Sequence, residues 1–371
     1  MTYVDRIVQV AVPGLLVSGV ALLGSFTTRA NEIHFRVALV HVAIVVGLYL
    51  FIGNSGVLSF GHISFVAVGA FLAGLMTISV GVKRGILPDL FPVLRNHSVG
   101  NVESLLLAAA FGAVFAFLIG LPLMRLSGLA AGIATFAVLG ITHNVLFNYT
   151  KIGPGATALT NIPETTGLLQ GLVGALIAIV VAWAYQLSRF GRLLRASRED
   201  AAAAQAVGVS IHSQRLIAFT LSGALCGFAG GLYVHYAGTI TTEDVYLDLT
   251  FLTLAMLVVG GVGSLLGAVV GALLISGLDA FLTTAEGGIH VADWKIDLQD
   301  GSSDWKPGFD LFYKLRPNVT AALTVNTDFA EAEVDDRRVN LTRFPLFFPE
   351  KREFFLQDTT IFSFGGLNFS P

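Results

Sequence analysis

The chain has 371 residues, of which 54% are hydrophobic and 13% charged, with a formal net charge of −3, and its mean hydropathy is +0.75. A soluble globular domain carries about 25% charged residues, so the composition argues against an ordinary soluble enzyme and for a membrane protein. So small a net charge gives no indication of a nucleic-acid partner, and the single cysteine, Cys226, lies in an apolar run without a disulfide partner, as a core thiol would.

The charge is unevenly spread. Residues 1–288 carry 13 basic and 12 acidic side chains, and the much shorter 289–371 carries 9 basic and 13 acidic. A membrane helix needs about 20 apolar residues. In chain order the candidate spans are 7–26, 37–53, 63–82, 104–124, 128–149, 167–187 and 216–237, then 249–262 and 264–282. The first has no small-residue cleavage site and is followed by more of its kind, so it does not read as a removable signal. The eighth has only fourteen residues before a glycine cluster, as a broken or re-entrant segment would. The expected fold is an all-α polytopic membrane bundle of eight or nine transmembrane helices with a C-terminal β-rich fragment.

Small residues recur every four positions at Gly223, Gly227 and Gly231 and at Gly263, Gly267 and Gly271, with Gly128 and Gly132 as a shorter version. Such stripes let helices approach closely where lipid offers no hydrophobic drive between them. The glycines at 260–267 lack the strand that a nucleotide-binding loop requires, and no G-x-x-x-x-G-K-[ST] occurs, so the chain is not expected to hydrolyse ATP.

Between the sixth and seventh spans lie Arg189, Arg192, Arg195, Arg198 and Arg215. The positive-inside rule places this loop in the cytoplasm, with Trp183 and Tyr185 at the inner interface. Arginines three apart stay near one helix face and suit anionic headgroups. Ser197 with Asp200 fits a capping box, and Glu199 and Asp200 complement the helix dipole. Ala201 to Ala204 and Ala206 favour a helix of about ten residues that stops at Gly208. Two explanations stand: the small-sided helix seats in a partner's groove, or it packs within its own loop.

Polar groups within spans are costly and often functional. Ser59, His62, Thr135, His143 and Asn144 are candidates for a translocation path, with Gln170 behind them, and the backbone around Gly61 is expected to be non-helical. Each histidine also suits a purely structural role. Glu243, Asp244 and Asp248 fall in an external loop, where they meet a delivery protein or only solvent. Acids are nearly absent from the spans and Asp279 lies near a span end, which disfavours an ATP-independent, ion-coupled transporter or channel. From 289 the pattern turns to period two. Phe309, Leu311, Tyr313 and Leu315, then Val319, Ala321, Leu323 and Val325, flank the turn at Arg316-Pro317-Asn318 and predict a β-hairpin.

Arg195-Ala196-Ser197-Arg198-Glu199-Asp200 with Ala201, Ala202, Gly208 and Val209 resembles the coupling segment of branched-chain amino-acid permeases, the membrane subunits of ABC importers. Gly56-Val57-Leu58-Ser59-Phe60-Gly61-His62, Leu216-Ile217-Ala218-Phe219, Ala229-Gly230-Gly231-Leu232-Tyr233 and Gly260-Gly261-Val262-Gly263-Ser264 resemble further landmarks of that family, so the likeness covers about residues 1–285. It implies an inner-membrane subunit with no cofactor or metal of its own. A second permease subunit, cytoplasmic ATP-binding subunits that hold ATP and Mg, a periplasmic substrate-binding protein and a branched-chain amino acid are the implied partners, with the lipid bilayer around them. The family often carries further acids where this chain has Ala201 and Gln205, and one more hydrophobic helix at its end. Residues 308–365 resemble the start of an outer-membrane β-barrel family of unassigned function, which suggests a junction of two unrelated genes near residue 289. A reading that takes this tail as the purpose, an outer-membrane or structural protein, conflicts with the long helical spans, because outer-membrane proteins are typically barrels.

Overall fold

In hydrocarbon a backbone amide finds no water, so an apolar run must satisfy its own peptide groups as helix. The computed structural model describes residues 3–286, 289–291, 309–316 and 319–325, and up to residue 286 its regular structure is helical. It falls into two units, 1–280 and 281–371.

In the first unit α1 (Tyr3–Ser25) leads through a short turn into α2 (Arg29–Ser55). Buried residues make up 83% of the α2 apolar window against 22% of the α1 window, so α2 runs through the core while α1 lies at the rim. Gly56 closes α2 in the left-handed region, at φ 68°, and donates to the Ile52 carbonyl. An irregular stretch follows before α3 (His62–Thr77). The expected span 63–82 does not continue straight: α3 is followed at 113° by α4 (Val80–Ile86). Extended Ile78 and Ser79 make the bend, and the Thr77 hydroxyl donates back to the Ala73 and Gly74 carbonyls. Buried Lys83 donates to the Leu94 and His97 carbonyls, which ties α4 to α5 (Pro92–Asn96).

Next come α6 (Asn101–Leu123), α7 (Gly128–Asn148) and α8 (Leu168–Leu187). The arginine loop forms α9 (Arg189–Glu199) and α10 (Ala201–Ala206), and the chain returns through α11 (Ile211–Ala237). A 3-10 turn at Glu243–Val245 leads into α12 (Leu247–Gly260) and α13 (Leu265–Glu286). The core forms where α11 packs against α6, α3 and α2, and α2 against α8.

Among the described residues seven helices are long and apolar enough to cross a membrane, or eight if α3 and α4 count as one broken span. The protein is therefore a multi-pass membrane protein; the count of eight meets the lower end of the expected eight or nine, and the count of seven falls one short. The eighth segment explains part of the difference. The 14 residues of α12 rise only about 21 Å, short of the roughly 30 Å hydrocarbon core.

In the second unit Ile289–Val291, Phe309–Arg316 and Val319–Val325 form a three-stranded antiparallel sheet in sequence order, with Phe309 opposite Val325 and Tyr313 opposite Ala321. Most of the segment that resembles a barrel protein, from residue 326 onward, lies outside the described residues.

Candidate coupling loop and translocation route

The arginines of the loop do more than face lipid. A helix ends with free carbonyls and a partial negative charge, and a guanidinium close by satisfies both. Arg195 Nη2 donates to the Gln186 carbonyl at the end of α8, 3.2 Å away. Arg198 Nη1 donates to the Gly53 carbonyl near the end of α2 at 2.9 Å, and Arg215 Nη1 to the Leu126 carbonyl after α6 at 3.2 Å. The ends of α2 and α8 are thereby bound to this loop, and Arg215, in the first turns of α11, holds the chain just after α6. Gln186 Nε2 donates to the Tyr49 hydroxyl at 2.8 Å, a second link between α8 and α2.

The capping geometry differs from the expected box. Ser197 is buried inside α9 and donates to the Leu194 carbonyl at 2.7 Å, so it caps nothing. Asp200 itself is the N-cap: its Oδ1 accepts from the Ala203 amide at 2.9 Å and starts a new helix, α10. The predicted helix of about ten residues is thus two helices meeting at Asp200. Only six residues belong to α10, since the Asp side chain competes for the backbone just where α9 would continue. Glu199, Ala201, Ala202, Ala203, Gln205 and Ala206 are exposed and Ala204 is buried. Gly208 takes φ 84° after α10, a backbone region that suits a residue without Cβ.

The polar candidates divide into two places. Ser59, Gly61, His62 and Thr135 come together where the lead-in to α3 crosses α7. Phe60 N donates to Thr135 Oγ1 at 3.2 Å, and a Cβ on Gly61 would stand 2.5 Å from the Thr135 carbonyl oxygen. His62 Nδ1 lies 2.8 Å from Ser59 Oγ, and its fully buried ring is enclosed by Phe51, Phe65 and Phe219 at 5.2–5.7 Å between centroids. In this conformation His62 lines no open passage.

His143 and Asn144 belong to the second place, an open cleft of about 610 Å³ along the far half of α7 that also includes Ile141, Asn148, Tyr149 and Tyr246. His143 Nε2 is 2.9 Å from Glu243 Oε1, and its ring stacks on Tyr246 at 4.0 Å. Glu243, expected only in a loop, thus meets α7. Asp244 closes its own turn by accepting from the Thr241 amide, and Asp248 is exposed in the first turn of α12. Gln170 accepts from Asn101 at 2.9 Å, between α8 and α6.

With this geometry in view, comparison with known proteins is informative. Residues 33–294 match the family described as branched-chain amino acid transport system / permease component. The chain belongs to this permease family. The permease is 26% identical over 271 residues to the high-affinity branched-chain amino acid transport system permease protein LivM of Escherichia coli K12, covering 64% of this chain and 60% of LivM. It is 29% identical over 230 residues to the autoinducer 2 import system permease protein LsrC of Enterobacter sp. strain 638, covering 58% of this chain and 67% of LsrC. The permease thus spans about 60% of the length of the LivM proteins it matches. Residues 292–371 match a second family, described as Domain of unknown function (DUF5916), a description that does not bear out the expected resemblance to a barrel protein. No solved structure matches the chain.

Two of the small-residue stripes of the permease lie at helix crossings; the shorter one does not, since a Cβ on Gly128 would have nothing within 4 Å and one on Gly132 only ordinary contacts at 3.6 Å and beyond. A Cβ on Gly223 would lie 2.3 Å from Ala116 Cβ, one on Gly227 2.4 Å from the Ala108 carbonyl oxygen, and one on Gly231 2.7 Å from Leu105, all on α6. Gly267 and Gly271 abut Gly260 and Met256 of α12 just as closely, whereas Gly263 has nothing within 4 Å and is not a packing residue. Counting glycines four apart missed Gly69 and Gly112, which face α11 equally tightly, because neither has another glycine four residues away; on α6 the small buried residues Ser104, Ala108, Gly112, Ala116 and Gly120 make up the stripe together. Periodicity also missed Phe60, Phe136 and Phe251, three rings that meet edge-on from three segments.

Proposed function

We propose that the chain is the transmembrane subunit of an ABC importer for branched-chain amino acids, moving substrate inward across a bacterial inner membrane. Separate ATP-binding subunits supply the energy, a second permease subunit completes the passage, and a periplasmic binding protein delivers the solute. The observation that carries this reading is α10, a capped, small-sided helix whose alanines, Ala204 apart, are exposed on a loop braced against α2 and α8. A helix of six residues is not stable alone in water, so presenting its bare face suits insertion into a groove of a partner that moves with its nucleotide cycle. Membership of the permease family supports the same assignment. The likeness to LsrC favours a second reading of the cargo, a solute of the autoinducer 2 kind, on the same transport machinery. Ser59, Gly61, Thr135, His143 and Asn144 are the proposed route-lining or route-supporting residues. The segment after about residue 289 we read as a join to an unrelated gene, which the abutting family matches at 292–294 support; sequencing across these codons in genomic DNA tests it.

Co-purification of the tagged chain with the products of neighbouring genes tests the assignment. Recovery of an ATP-binding subunit and of a binding protein that takes up leucine supports it, whereas a complex that accumulates leucine without nucleotide counts against it.

A further inference from the structure

We propose that Phe60 is a gate residue of the translocation route and that Arg198 is the positioning residue through which the α9–α10 loop moves it. The inference rests on the importer reading and adds a mechanical link to it.

Phe60 sits in the stretch between α2 and α3. Its ring meets Phe136 of α7 at 6.1 Å and 88°, and Phe251 of α12 at 6.5 Å and 66°. Phe136 and Phe251 are exposed and Phe60 half-buried, so the three rings lie at an open face rather than in the core. On α7 Phe136 precedes His143 of the Asn144–Asn148 cleft by two helical turns, and on the other side Phe251 follows Tyr246 of that cleft by five residues. Edge-on aromatic contacts hold a closed apolar barrier, yet each is weak enough to part when one ring shifts. A solute with an apolar side chain loses little on passing between them.

The stretch that carries Phe60 is held at both ends. At its start Arg198 donates to the Gly53 carbonyl, and a Cβ on Gly56 would lie 3.0 Å from the Arg198 side chain, so the loop rests directly on the α2 terminus. At its end Phe60 N is held by Thr135, and Ser59 by His62. Only Val57, Leu58 and Ser59 separate Gly56 from Phe60, and no helical turn takes up slack between them. A displacement of α9 therefore reaches the ring through about four non-helical residues, which span at most roughly 13 Å. Arg198 acts through Gly53 and Gly56 and touches no substrate.

The test uses the complete transporter, with its ATP-binding subunits and binding protein, in liposomes with radiolabelled leucine. Phe60→Ala is expected to raise nucleotide-independent leucine equilibration by roughly tenfold, and Arg198→Ala to lower the leucine moved per ATP hydrolysed by roughly tenfold. Arg198→Lys, which keeps a donor for Gly53, should recover much of that ratio. A purely structural arginine would change the yield of folded complex and leave the ratio alone. Gly56→Ala, which crowds the Arg198 stem without removing its charge, should lower the same ratio and serves if Arg198→Ala fails to assemble. A tight Phe60→Ala transporter, or a wild-type ratio in the Arg198 and Gly56 variants, overturns the gate while the importer stands. Absence of nucleotide-driven leucine uptake by the wild-type complex instead removes the importer reading, and the gate with it.

Discussion

The crossing of α6 and α11 offers the most quantitative test of the bundle. Replacing Gly227 with alanine places a Cβ 2.4 Å from the Ala108 carbonyl oxygen and 3.2 Å from Gly112 Cα, both on α6. Carbon–oxygen contacts across helices settle at about 3.3–3.6 Å, so the two helices must part by roughly 1 Å. A gap of that size forfeits about a quarter to a half of the dispersion attraction of the atoms it separates. Overpacking typically costs ~1–3 kcal/mol, and the upper part of that range applies because both obstructing atoms are backbone, which no rotamer change can move. A melt in detergent micelles should show the midpoint lowered by roughly 4–10 °C. Gly19 of α1 is the control, since nothing lies within 4 Å of its Cβ position. Alanine there should be neutral or stabilise by up to about 1 kcal/mol through its helix propensity. A Gly227→Ala protein that melts with wild type would refute the close backbone approach.

Further expectations follow from individual contacts. Asp200→Ala removes the cap of α10 and should cost ~0.5–2 kcal/mol locally, read as faster amide exchange over residues 201–206 without loss of the bundle. Ala202→Trp adds bulk to the exposed α10 face and should uncouple ATP hydrolysis from uptake while insertion into the membrane stays normal; undiminished uptake would contradict the docking role. Lys83→Met removes the ammonium from which the part-buried Leu94 and His97 carbonyls accept, at ~1–3 kcal/mol in all for hydrogen bonds to a charged group, and should speed proteolytic nicking between residues 86 and 100. Glu243 is 66% exposed in its pair with His143, so Glu243→Gln should change stability by less than about 1 kcal/mol. His143→Ala, which also loses the stack on Tyr246, should cost more in the same melt.

Long apolar runs were legible in the sequence because period and length suffice to specify them, and α6, α7, α8 and α11 lie within a few residues of their expected places. The bend after Thr77 was not, since an apolar count cannot see that Thr77, Ile78 and Ser79 favour extended backbone; Lys83 and Arg84 just beyond were the available clue. The stripe Gly223, Gly227 and Gly231 could be read from one helix, and the matching run Ser104, Ala108, Gly112, Ala116 and Gly120 on α6 was legible too once serine and alanine count as small; Gly69, with no glycine four residues away, acquires meaning only through its contact with Gly227. The loop shows the same limit. Its arginines had an adequate explanation in lipid headgroups, so nothing local revealed that Arg195 and Arg198 reach back to Gln186 and Gly53. Ser197 matched a capping pattern that Asp200 alone fulfils, because Ser197 is already buried within α9.

Where α10 points its alanines in the working transporter is the most direct question. A photo-crosslinking amino acid at position 202, activated in membranes that contain all products of the neighbouring genes, should yield an adduct with an ATP-binding subunit, more strongly in one nucleotide state than in the other. Labelling of the same position by a membrane-impermeant reagent from the periplasmic side, with no adduct to an ATP-binding chain in any nucleotide state, would contradict the coupling role.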